Sequence, residues 1–153
     1  MSKSARLVPL LIAAWVGGLW SIGYLAVPVL FHAQPDRQLA GMLAGEMFGR
    51  VAWLGMACGG YLTGYWLVTA GAAAWRQTAF RLVLALLALT LITHFGLQPA
   101  MNALKAQALP LEVMKSPLAG RFGLLHGISS LLYLLQSVLG AWLVLAKPVS
   151  RSS

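Results

Sequence analysis

Few residues in this chain could do chemistry: three histidines (His32, His94, His126), one cysteine (Cys58), six methionines and three carboxylates (Asp36, Glu46, Glu112). Imidazole, thiol and thioether together form a soft donor set that suits copper. His94 and His126, on neighbouring helices, could serve as paired axial ligands of a haem. The spacing supports neither reading: there is no Cys-x-x-Cys, no Met-x-x-Met and no histidine pair one helical turn apart. Methionine and cysteine also fill gaps in apolar packing without binding anything. No resident cofactor is expected, and His94, His126 and Cys58 are the weak candidates should a metal bind. Three carboxylates outside the apolar runs give little material for paired acid and base catalysis. The chain has no Gly-x-Ser-x-Gly, phosphate loop or zinc-protease pattern, so no enzyme is expected.

The elements that must hold these residues are written in the composition. Of 153 residues, 59% are hydrophobic and 9% charged, against the roughly 25% charged residues of a soluble domain. Mean hydropathy is +0.78. The net charge of +8 comes from eleven Lys and Arg scattered between apolar runs. Such flanking charge is ordinary for membrane helices, and no nucleic-acid partner is expected. A single cysteine allows no internal disulfide.

Four runs, at roughly 7–31, 51–71, 80–100 and 122–146, approach the ~20 residues that cross a bilayer core as helix. The expected fold is all-α: one integral membrane domain over 1–153, with four spans in a bundle and a short interfacial helix between the first two. Lys3 and Arg6 before the first run resemble a signal peptide. The run continues to Phe31 without a small-residue cleavage site, so a retained first span is expected. Asp36 should cap the interfacial segment, where Leu39, Leu43 and Met47 recur every fourth residue. Gln98-Pro99 is expected to end the third span, and Trp75 and Trp142 to anchor at an interface. With four spans both termini share a side. That side holds Lys3, Arg6, Arg76, Arg81, Lys147 and Arg151, against Arg37, Arg50, Lys105, Lys115 and Arg121 opposite. The balance points to cytoplasmic termini.

The fourth run carries a polar seam, Gly123, His126, Ser130, Tyr133, Ser137 and Gly140, spaced 3, 4, 3, 4, 3. That is the repeat of one packed helix face, and a histidine inside a span is a functional candidate. The seam, with Ser129 and with Thr90, His94 and Gln98 from the third run, is expected to line a polar cleft. Small residues at Gly17, Ser21 and Pro28, at Gly41, Gly45 and Gly49, and at Gly55 and Gly59 are expected to form the packing faces. Most of the chemistry-bearing residues, Cys58 and the three histidines included, thread to one side of the membrane.

At these motifs the chain resembles a known family. Trp15-Val-Gly-Gly-Leu-Trp-Ser-Ile-Gly-Tyr-Leu-Ala-Val-Pro-Val-Leu-Phe31 is similar to its first span, and Leu39-Ala-Gly-Met-Leu-Ala-Gly-Glu-Met-Phe48 to its next helix. Leu97-Gln-Pro-Ala-Met101 resembles its third-span exit, and Arg121-Phe-Gly-Leu-Leu-His-Gly-Ile-Ser-Ser130 its last-span signature. The family is the bacterial domain of unknown function that includes the mammalian transmembrane protein two-hundred-and-five. The resemblance implies a four-span membrane protein without established catalytic residues, and a bacterial inner-membrane location. It singles out His126, Ser129, Ser130, Phe31, Pro28, Gly41, Gly45, Phe48 and Pro99. His94 and Gln98 depart from the mammalian pattern, which weakens any ligand set built on His94.

Two functions are expected from different classes. One is small-molecule or metal handling, or resistance, through the cleft near His126. The other is a structural or assembly role, with the glycine faces docking a second copy or another membrane protein. A metal or haem redox protein is the third.

Overall fold

The computed structural model describes residues 3–146, and all the regular structure in them is helical. Lys147 and Arg151, counted above for orientation, lie outside the described residues, as does the side chain of Lys3. Helix α1 (Lys3–Trp20) passes through one wide π turn (Ser21–Ala26) into α2 (Val27–Ala33). Helix α3 (Arg37–Ala70) follows, then a tight 3-10 turn over Gly71–Arg76. Helix α4 (Thr78–Leu91) runs through a second π turn (Ile92–Leu97) into α5 (Gln98–Ala108). A short 3-10 turn at Val113–Lys115 precedes α6 (Ala119–Leu145).

Three helical stretches are long and apolar enough to cross a membrane: Arg6–Ala33, Thr78–Ala108 and Ala119–Leu145, of 28, 31 and 27 residues. At 1.5 Å per residue each spans about 40 Å or slightly more, beyond the ~30 Å hydrocarbon core. The expected second span, 51–71, lies in α3, which is not among the three. No charged residue occurs between Val51 and Trp75, but Gly55, Gly59, Gly60, Gly64, Tyr61 and Tyr65 dilute its apolar character. It packs beside the others all the same: α3 lies against α1 and α4, and α6 lies against α1 and α4.

The connection between the first two runs is the expected interfacial segment running into the second run, but it is longer than the short helix expected. Asp36 does cap, its Oδ1 accepting from the amides of Gln38 (2.9 Å) and Leu39 (3.1 Å). What it caps is not a separate short helix but the first turn of a continuous 34-residue one. Nothing in Gln38–Gly49 breaks it, because three glycines weaken a helix without removing a hydrogen bond, as a proline would. Gly71, at φ +54°, ends α3 in backbone that a residue with a Cβ rarely adopts.

The prolines also act differently. Pro99 does not end the third span; the helix runs on to Ala108. Pro28 and Pro99 each stand two residues after a π turn. Proline supplies no N–H and its ring presses on the carbonyl four residues back. The wider turn accommodates this: the amides of Val27 and Gln98 reach back five residues, to the carbonyls of Ile22 and Thr93. Both spans therefore stay continuous.

Packing follows a knob and hole, not a small-residue seam on both sides. Trp15, 2% exposed, fills the space over Gly55 and Gly59 of α3; a Cβ on Gly59 would come within 2.8 Å of its ring. Gly18 receives Leu54 and Val51, and Gly140 receives Val16, with a Cβ in either meeting those side chains at 3.1–3.3 Å. The expected first-span face of Gly17, Ser21 and Pro28 is exposed instead. The bulky Trp15, Val16 and Leu19 face inward because the glycines that make room are on α3 and α6. Gly41 and Gly49 have no neighbour within 4 Å of an added Cβ, whereas one on Gly45 would meet Gln98 Nε2 at 3.0 Å.

Candidate functional site

The same contacts give the depth of every polar group. Gly41 lies level with Lys105 and Phe122, Gly45 with Gln98, and Phe48 with Tyr133 and Gly23. Further along are the pairs Trp53–His94 and Thr90–Gln136, and deeper still Trp15 over Gly59.

Two polar knots sit inside this ladder. In the first, Tyr24 donates to Ser137 Oγ at 2.8 Å, and Ser137 donates to the Tyr133 carbonyl at 2.9 Å. The Tyr133 hydroxyl donates to the Leu19 carbonyl. Its ring lies edge-on to Phe48, centroids 5.1 Å apart. The hydroxyl enters a notch that exists because residue 23 is glycine: an added Cβ there would be 2.6 Å from the oxygen. Since Gly23 and Tyr24 belong to the first π turn, that turn presents both to α6. In the second knot, the buried Gln136 donates through Nε2 to Thr90 Oγ1 at 3.3 Å, and Thr90 donates to the Leu86 carbonyl at 2.8 Å. No buried side-chain polar atom among the described residues lacks a partner. In an apolar surrounding such closure matters, because each unpaired group costs free energy.

The structure divides the expected cleft. Thr90, Tyr133 and Ser137 are in the knots; His94, Gln98 and Ser129 are half-buried elsewhere; His126 and Ser130 are exposed. The seam on α6 holds at Tyr133, Ser137 and Gly140 but fails nearer the N-terminus. There the covered positions are Phe122, Leu125, Ser129 and Leu132. His126 and Ser137 point nearly the same way, eleven residues being three turns plus about 20°, so what differs is the neighbouring helix that covers Ser137 and not His126. Ser130 donates to its own helix at the His126 carbonyl (2.9 Å), and His126 stacks on Phe122 at 5.9 Å between ring centres. His94 packs edge-on against Trp53 and Phe95. Gln136 was missed, because it falls outside the 3-4 register; an amide inside an uncharged span was the signal available.

The weak metal candidates do not meet. Cys58 lies in the apolar core with Leu62 and Trp66, not with the histidines. His94 lies against Trp53 of α3, and His126 is on the outside of α6. Among the described residues no three His, Cys, Asp or Glu side chains gather. One shallow, outward-facing hollow is lined by Trp20, Tyr24, Ser137, Val138 and Ala141.

An all-helical chain with three stretches of this length and apolarity, its interior hydroxyls and amide closed on one another, is a helical membrane protein. The chain belongs to the family described as Domain of unknown function (DUF4149), which it matches over residues 10–110. That match runs from α1 to the end of α5 and stops before α6. No curated protein and no solved structure matches the chain.

Proposed function

We propose that the chain is a non-enzymatic, four-span bundle of the bacterial inner membrane, with both termini cytoplasmic, that works as a structural or assembly partner of other membrane helices. One observation carries this reading. Gly60 and Gly64 on α3, and Gly123 and Gly127 on α6, are exposed with nothing within 4 Å of an added Cβ. In the same α3, Gly55 and Gly59 are filled by Trp15. Glycines four apart that their own fold leaves empty are suited to the close approach of another helix. The fourth crossing is supported by the packing of α3 against both α1 and α4 and by its uncharged run from Val51 to Trp75.

The test is native electrophoresis of membranes gently solubilised from cells. The 16.3 kDa chain should migrate in a larger assembly, either with itself or with another membrane protein. Changing Gly60 and Gly64, or Gly123 and Gly127, to Ile should release monomer without lowering its thermal stability in detergent. A wild-type chain that is already monomeric would refute the reading. Small-molecule handling or resistance remains a second reading, favoured by the hollow at Tyr24 and Ser137. It requires that Ser137→Val, which keeps the shape, abolish a transport or resistance phenotype while leaving the assembly intact.

A further inference from the structure

Lys105 differs from the other cations among the described residues. Its Nζ donates to the Gly41 carbonyl of α3 at 3.3 Å and stands 5.7 Å from the centre of the Phe122 ring on α6. It is half-buried where α3, α5 and α6 meet. The single salt bridge among the described residues is elsewhere, joining Lys115 to Glu112 in the connection before α6. Of the other carboxylates, Asp36 is turned onto the amides of its own helix, and Glu46 is exposed more than one turn beyond Gly41. A carbonyl and a ring face reduce the cost of half-burying an ammonium group, but neither supplies a full counter-charge.

The depth of this site identifies what could. Counted from Arg81, the last charged residue before Lys105, 20 residues of helix reach Ala100 after about 30 Å, and Lys105 stands about 7.5 Å beyond. That is the layer of lipid headgroups. Arg37, one turn before Gly41, and Arg121, beside Phe122, are exposed at the same end. Three helices thus present three cations there. On the outer face of α6, on the side of Arg121 and away from Phe122, Leu124, Ile128 and Leu131 are exposed.

We propose that Lys105, with Arg37 and Arg121 at the same end of the bundle, binds the phosphate headgroup of an anionic phospholipid. Basic pockets between membrane helices bind anionic headgroups by charge pairing, most often on the cytoplasmic side; with both termini cytoplasmic, this one faces the opposite leaflet and requires the anionic lipid there. The proposal rests on the reading of the chain as membrane-inserted, and is independent of whether it assembles with partners.

The test uses the full chain in detergent, with native mass spectrometry to count retained lipid. Phosphatidylglycerol should be retained over phosphatidylcholine, and Lys105→Gln should reduce that preference about fivefold, the effect of one basic residue at the surface. Lys105→Arg should keep it, and Lys115→Gln, at an exposed and already paired lysine, should leave it unchanged. A third arm adds inorganic phosphate alone. Displacement of the lipid by millimolar phosphate, dependent on Lys105, would overturn the lipid as the source and make the ligand a soluble phosphate. Equal preference in wild type and Lys105→Gln overturns the site itself. Should Lys105→Gln not fold, the exposed pair Arg37→Gln with Arg121→Gln decides: reduced retention supports the site and unchanged retention overturns it. Insertion into bilayers by every variant separates failure of this site from failure of the membrane reading.

Discussion

The two ends of the molecule are built on different principles. Toward the Gly71–Arg76 turn, Trp15, Cys58, Leu62, Trp66, Phe80, Leu86 and Leu143 form one apolar cluster. Toward the other end the buried residues are mainly small, Ala40, Ala44 and Ala108, with Met101. That end instead holds both π turns, the Tyr24–Ser137–Tyr133 knot, Lys105 and His126. One end is held by shape and the other by a few directed hydrogen bonds.

The largest expected effect is in the apolar end. Phe80 is fully buried, edge-on to both Trp66 and Trp75. Phe80→Ala should cost about 3–5 kcal/mol, as large cavities do in cores, seen as a loss of thermal stability in detergent. A variant as stable as wild type would remove the contrast between the ends. Next, Gly59→Val forces a branched side chain onto Trp15, for which an over-packing cost of about 1–3 kcal/mol is expected. The same change at Gly60, on the outer face with nothing within 4 Å, should leave monomer stability nearly unchanged. Equal losses at neighbouring positions 59 and 60 would break the inside-outside assignment of α3.

The sequence made the helical, apolar character of the first, third and fourth runs legible, along with the Asp36 cap, because those depend on local composition. Faces were less legible. In a soluble helix the polar side points outward, but in a membrane helix both sides are apolar, and only packing tells them apart. Small residues were read as the buried side of α1, whereas Trp15 is buried there because its hole is in α3. Pro99 was read as a stop because the local rule is correct in isolation; a π turn upstream lets the helix continue. His126 was read as interior because it shares a direction with Tyr133 and Ser137, but Tyr24 covers Ser137 and the same face is left open at His126.

In the polar end a modest effect is expected from Tyr133→Phe. The change removes the bond to the Leu19 carbonyl and leaves the ring against Phe48 and Gly23. Hydrogen bonds between membrane helices average about 0.6 kcal/mol, so stability should fall by about that amount. The amides of the first π turn should exchange faster while those around Leu62 do not. Faster exchange at both places would mean that the ends unfold as one unit, and the comparison would lose its meaning.

The smallest single effect, that of Gln136→Leu, is expected at the second knot, where the two principles meet. Gln136 and Thr90 are buried at 4% exposure each, yet Thr90 also donates to the Leu86 carbonyl of its own turn. Gln136→Leu therefore leaves the threonine hydroxyl with a partner, whereas Thr90→Val leaves the Gln136 amide without one. The single changes should be unequal, with Thr90→Val costing about 1–3 kcal/mol for an orphaned buried group. Gln136→Leu should cost a few tenths, as a bond between helices is lost without an orphan. With both replaced, no polar group remains to be satisfied, and the double variant should regain most of the loss. A thermodynamic cycle over the four proteins measures this coupling. Additive losses would show that the amide finds another partner in the bundle, and that the polar end is more adaptable than a single pair of bonds allows.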